Sequence, residues 1–166
     1  YCQPDIQDKH MTSKQHIVAE ILVLMAGRCA EEILANNTWD ISSGASDDMM
    51  KVSSKMRSLY SQFGLQSDGN RHMLVTQKDD ISDSTQSKID EQMINDCRIY
   101  YDLTKTILEN NWSRVTKLAN KLVRTKNLIN TDLQKMLPKK LENSISLKKV
   151  FEYDQDSPEY IKYLKS

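Results

Sequence analysis

Glycine and proline are scarce in this 166-residue sequence, with four of the first and three of the second. Chains built from many short strands and tight turns use far more of both, so the shortage points to long helices. Three cysteines, Cys2, Cys29 and Cys97, lie far apart with no C-x-x-C pair. That spacing suits neither a disulfide framework nor a structural zinc site, and a reducing compartment is the simpler expectation. Cys29 and Cys97 fall among apolar helical positions and are expected to act as small core residues. No charge sign dominates: 23 basic residues face 23 acidic ones. The chain has no global field to draw in nucleic acid or an anionic membrane, so nucleic acid is not an expected partner. Nor does it contain a run of about eighteen apolar residues that would cross a bilayer.

Catalytic signatures are missing as well. The three histidines are His10, His16 and His72, so there is no H-x-x-x-H pair and no H-E-x-x-H. Each is read as a surface or half-buried histidine rather than a ligand. There is no G-x-S-x-G elbow and no phosphate-binding glycine loop.

What is present is helical periodicity. Residues 1–11 contain Pro4 and no period, and read as a lead-in. Thr12 and Gln15 form a capping box ahead of a helix over 13–35, with Ile17, Ile21, Leu24, Met25, Ala30, Ile33 and Leu34 as its apolar stripe. Ser42 to Ser46 signals a second start. The stripe after it is Met49, Val52, Met56, Leu59, Tyr60 and Phe63, and Gly64 stands where a left-handed cap is expected. A connector over 65–81 holds one strand-like run, Met73 to Val75. Ser82 opens a third helix facing inward with Ile89, Met93, Cys97, Tyr100, Tyr101, Thr104, Ile107 and Leu108. A fourth follows Asn110 and Asn111, carrying Val115, Leu118, Ala119, Leu122 and Val123. A fifth begins with the capping box of Thr131 and Gln134 and ends near Pro138. The expected fold is all-α, an array of about five helices over 12–142 with at most one short strand. A tail of unclear period covers 143–166.

One short segment carries possible chemistry. Ser43-Gly44-Ala45-Ser46-Asp47-Asp48 is a tight turn of small residues that puts two carboxylates in the first turn of a helix. Acids there complement the helix dipole, which by itself accounts for the pattern. Glu31 and Glu32, taken alone, are polar-face residues of the first helix.

Three segments together resemble one family. Ala26-Gly27-Arg28-Cys29-Ala30-Glu31-Glu32-Ile33 is similar to the G-G-R-x-A-E-E segment of FtsH-type peptidase domains. Ser43 to Asp48 resembles the T-G-A-S-N-D of those domains, and Phe63-Gly64-Leu65 their Y-G-M. Ile89-Asp90-Glu91, the turn from Leu122 to Thr131 and Leu133 resemble their last helical hairpin. The likeness covers about residues 12–137. Position 26 is alanine where the family prefers glycine, and the link from Glu31 to Asp48 is slightly longer and contains Trp39.

The resemblance implies an ATP-dependent zinc metalloprotease, anchored in a membrane and assembled as a homo- or hetero-hexamer that takes unfolded proteins. In that family zinc is held by the two histidines of H-E-x-x-H and by an aspartate opening a later helix. By position Asp48 matches that third ligand, with Gly44, Ala45 and Ser46 letting the backbone come close. Glu31 matches a glutamate near the metal that orients a ligand or water, although a purely structural role fits it nearly as well. Gly27 is read as a close-packing position. The family's H-E-x-x-H would precede this segment, and the membrane anchor and the ATPase module that takes ATP and Mg would lie earlier still. The domain would then face the cytoplasm, the mitochondrial interior or the plastid interior. On this reading the 166 residues hold no catalytic residue of their own and are inactive alone. A non-catalytic helical scaffold subunit of a membrane complex is the alternative.

Overall fold

The computed structural model describes residues 13–37, 39–65, 82–129, 133 and 136. Four α-helices account for most of them: α1 over Lys14–Ala35, α2 over Ser46–Arg57, α3 over Asp83–Asn110 and α4 over Trp112–Thr125. No strand occurs among the described residues, and the fold is all-α. The strand-like run at 73–75 and the fifth capping box at Thr131 and Gln134 lie outside them.

Local chemistry explains the helix ends. Ser13, extended at φ −75° and ψ 154°, accepts the N–H of His16 through its hydroxyl at 3.3 Å and starts α1. The cap therefore sits one residue later than the Thr12 box predicts, because the serine oxygen already answers one of the free amides of the first turn. Asn36 ends α1 in the left-handed region at φ 55°, and its N–H returns to the Glu32 carbonyl at 3.0 Å. Ser82 caps α3 as predicted, accepting from the Thr85 N–H at 3.3 Å.

The second helix has an unexpected end. After Arg57 the backbone widens into a π turn over Ser58–Gln62, closed by Phe63 N–H on the Ser58 carbonyl at 3.0 Å. Gly64 follows at φ 58°, a conformation glycine adopts without a Cβ penalty. Leu65 N–H then bonds back to the Leu59 carbonyl at 3.0 Å. The wide turn brings consecutive residues Leu59 and Tyr60 inward together, and both are fully buried.

α1 packs chiefly on α3 and secondarily on α2. The core joins Ile17, Val18, Ile21, Met25 and Cys29 of α1 to Val52, Met56, Leu59 and Tyr60 of the second helix and to Ile89 and Tyr100 of α3. Each buried Ile, Val, Leu or Met of this core removes enough apolar area to stabilise the fold by about 1.5–3 kcal/mol. The buried stripe of α1 departs from the predicted one at two positions, with Val18 inside and Leu34 77% exposed, while Cys29 is buried as expected. Phe63 also faces outward, and Leu103 of α3 is inside. No residue of α4 is buried. Among the described residues no helix is long and apolar enough to cross a membrane.

Candidate functional site

The end of α1 and the start of α2 are tied together by side chains. Asn37 folds the intervening loop: its carbonyl oxygen accepts the N–H groups of Trp39 at 2.8 Å and Asp40 at 3.0 Å, while its amide donates to the Ala35 carbonyl at 2.9 Å and the Asp40 carboxylate at 2.8 Å. Glu31 reaches eleven residues ahead and accepts the Ser42 N–H at 3.0 Å. Hydrogen bonds from Ser42, its side chain first and its backbone second, hold the Glu31 carboxyl below the usual carboxylate range.

Ser42 in turn caps a single 3-10 turn over Ser43–Ala45, its hydroxyl accepting the Gly44 N–H at 3.1 Å. A Cβ on Gly44 would lie 3.2 Å from that hydroxyl oxygen. The glycine therefore keeps the small-residue turn tight against its own cap. Ser46 N–H bonds to the Ser43 carbonyl, and α2 runs on from there with Asp47 and Asp48 in its first turn. Ala45 is half-buried and Ser46 exposed.

Asp48 is half-exposed and accepts Lys51 Nζ at 3.0 Å. Asp47 is exposed. Among the described residues no group of three or more His, Cys, Asp or Glu side chains is arranged to hold a metal ion. A catalytic zinc takes three protein ligands and one open position. Asp48 is a single carboxylate, so the described residues do not make a zinc site by themselves and no reaction step follows from them alone.

Gly27 requires a correction. It lies on the exposed side of α1, where an added Cβ would meet nothing within 4 Å, so close packing among the described residues does not explain it. His16 sits at the far end of α1, 3.4 Å from Glu20, whose other oxygen takes Lys55 Nζ at 2.7 Å. His10 and His72 lie outside the described residues.

Sequence reasoning passed over the neighbour of Glu31. Glu32 accepts the Tyr101 hydroxyl and Lys105 Nζ, both at 2.6 Å, and clamps the last turn of α1 onto α3. Hydrogen bonds from Lys105 and then Tyr101 lower the Glu32 carboxyl below its ordinary range. Consecutive glutamates thus fasten α1 in two directions, one to the turn ahead of α2 and one to α3. An acidic pair late in an amphipathic helix was the only signal, and it named no partners. An open cleft of about 450 Å³ along α3, lined by Ile94, Cys97, Arg98, Tyr101 and Asp102, does not include Asp48.

A helical domain in which a capped small-residue turn presents an aspartate at a helix start is the class these features define. Peptidase family M41 matches residues 2–136, and the chain belongs to that family. The ATP-dependent zinc metalloprotease FtsH of Cupriavidus metallidurans is 29% identical over 126 residues, which cover 70% of this chain and 19% of that protein. FtsH 2 of Thermoanaerobacter sp. is 30% identical over 132 residues, 77% of this chain and 24% of that protein. FTSH 11, chloroplastic/mitochondrial, of Arabidopsis thaliana is 29% identical over 136 residues, 81% of this chain and 16% of that protein. The chain spans about a fifth of the length of these relatives.

Proposed function

We propose that the chain is the C-terminal portion of the zinc-peptidase domain of an ATP-dependent, membrane-anchored protease that hydrolyses peptide bonds of unfolded proteins. The helical part at 12–142 is the peptidase portion, 1–11 leads into it and 143–166 is a tail. The observation that carries the proposal is the turn from Ser42 to Asp48. It is fixed at one end by Glu31, tightened by Gly44, and delivers Asp48 to the solvent-accessible mouth of α2.

Asp48 is the chain's contribution to the metal, in company with histidines of an H-E-x-x-H that these residues do not contain. Bound zinc supplies a Lewis acid and an activated water to such a site. Glu31 keeps the turn, and hence Asp48, in register with α1. ATP and Mg belong to a separate ATPase module, and the subunits assemble as a hexamer at a membrane.

The ion pair of Asp48 with Lys51 favours a second reading. A half-exposed acid in the first turn of a helix, paired three residues on, is fully accounted for as a helix stabiliser. On that reading the chain is a non-catalytic scaffold of the same fold.

The test uses the full-length protein with ATP and casein. The protease reading expects degradation that a zinc chelator stops and that Asp48→Asn lowers by more than about 100-fold, beyond the range typical of residues that only orient a ligand. The scaffold reading expects no degradation in the first place.

A further inference from the structure

α2 starts without a capping side chain of its own: Ala45 stands at its N-cap and makes no such bond. Its first buried residue is Val52, one turn or about 6 Å beyond Asp48. Core packing therefore holds the body of the helix, while the end that bears Asp48 depends on the link from α1. None of the described residues of that link, Asn36 to Ser46, is buried, and its largest side chain, Trp39, is 93% exposed. Hydrogen bonds rather than apolar contacts give the link its shape.

Asn37 uses its whole capacity in them. An asparagine side chain offers two N–H donors and two carbonyl lone pairs. Here the donors go to the Ala35 carbonyl and the Asp40 carboxylate, and the carbonyl oxygen takes the N–H groups of Trp39 and Asp40. Those bonds run from the last residue of α1 to a point two residues before Ser42, where Glu31 takes over. Asn37→Asp keeps the outline of the side chain but loses both donors and sets two carboxylates against each other.

We propose that Asn37 is a positioning residue of the peptidase site: by closing the link between α1 and Ser42 it fixes the 3-10 turn, and with it the place of Asp48 at the mouth of α2. The inference rests on the reading of Asp48 as a metal ligand given above. It adds to Glu31 and Gly44 a residue that touches neither Asp48 nor the turn and acts through the backbone between them.

The test has one readout without metal and one with it. In the 166-residue chain, amide ¹⁵N order parameters from Trp39 to Asp48 are expected near the rigid value of about 0.85, and below about 0.6 in Asn37→Ala and Asn37→Asp. Asn37→Asp/Asp40→Asn, which reverses the bond between these two side chains, should regain most of the loss. In the full-length protein the two single variants should weaken zinc binding by about 10–100-fold, with recovery in the double variant. Asn111→Ala serves as control: it removes comparable bonds, to the Ile107 carbonyl and from Arg114, at the α3–α4 junction and should leave zinc affinity within about threefold. Unchanged core amide shifts show that each variant is folded. Rigid link amides in Asn37→Ala, or wild-type zinc affinity in that variant while Asp48→Asn binds weakly, would overturn the inference and leave the protease reading standing. Unchanged affinity in Asp48→Asn itself would remove both.

Discussion

Glu32 accepts the Tyr101 hydroxyl at 2.6 Å across 69 residues of sequence, and this contact helps fix the end of α1 against the middle of α3. The other Glu32 oxygen takes Lys105 Nζ at 2.6 Å, and the carboxylate is only 16% exposed. Next to it Glu31 grips Ser42. The position of the turn that launches α2 therefore depends on a clamp formed with α3.

Tyr101→Phe removes one donor from that clamp and leaves a largely buried carboxylate short of a partner. A loss of about 1–3 kcal/mol is expected in urea unfolding at neutral pH. Lys105→Met should cost a similar amount, and the double variant less than the sum, because both act on one carboxylate.

Acid sensitivity should follow from the two glutamates. Both carboxyls are held below their ordinary value of 4.5 in the folded chain. Their contribution is present above that pH and is lost as the pH falls through the lowered folded value. The urea midpoint should decline below about pH 4.5, and Glu32→Gln should flatten that decline. Lys105 is raised by its bond to Glu32, so its share persists at neutral pH and disappears only above its ordinary value of 10.5.

The helices were legible in the sequence because their ends are local chemistry. Ser82 caps α3 and Gly64 takes positive φ as their residue types require. The inward face of α1 was legible only in part: Ile17, Ile21, Met25 and Cys29 were expected inside, Val18 was not, and Leu34 was expected inside but faces out. Ile21-Leu22-Val23-Leu24-Met25 is apolar on every side of the helix, so periodicity alone does not choose between Val18 and Leu34. Packing on α3 and α2 makes the choice. The π turn has no sequence signature, and placing Phe63 inside assumed an unbroken α-helix. At the candidate site the Ser42 to Asp48 turn was visible as a run of small residues. The Glu32 to Tyr101 contact was not, since nothing local links residues so far apart.

The buried Tyr60 hydroxyl donates to the buried Asp96 carboxylate, joining the π turn to α3. Tyr60→Phe takes this donor away and should cost about 1–3 kcal/mol. Leu59→Ala opens a cavity one residue earlier and should cost about 2–5 kcal/mol. Thermal unfolding of the two variants checks whether the π turn is part of the core.

Burial pushes the Cys29 thiol up to about 11, and its S–H points to the Tyr101 carbonyl at 3.8 Å. The thiolate is the reactive form, so at pH 8 a Cys2→Ser, Cys97→Ser chain should react with a thiol reagent more than about 100-fold slower than the same chain in urea. Because the folded value lies above the ordinary 9.0, this thiol favours folding up to that pH and ceases to as the pH rises toward 11.

Zinc affinity of the full-length protein, measured by competition with a chromophoric chelator, tests the role of Asp48 most directly. Asp48→Asn should weaken binding by more than about 100-fold, whereas Asp47→Asn, one residue earlier in the same turn, should change it less than about threefold. Equal affinities for wild type and Asp48→Asn would remove this carboxylate from the metal and leave it as the ion-pair partner of Lys51.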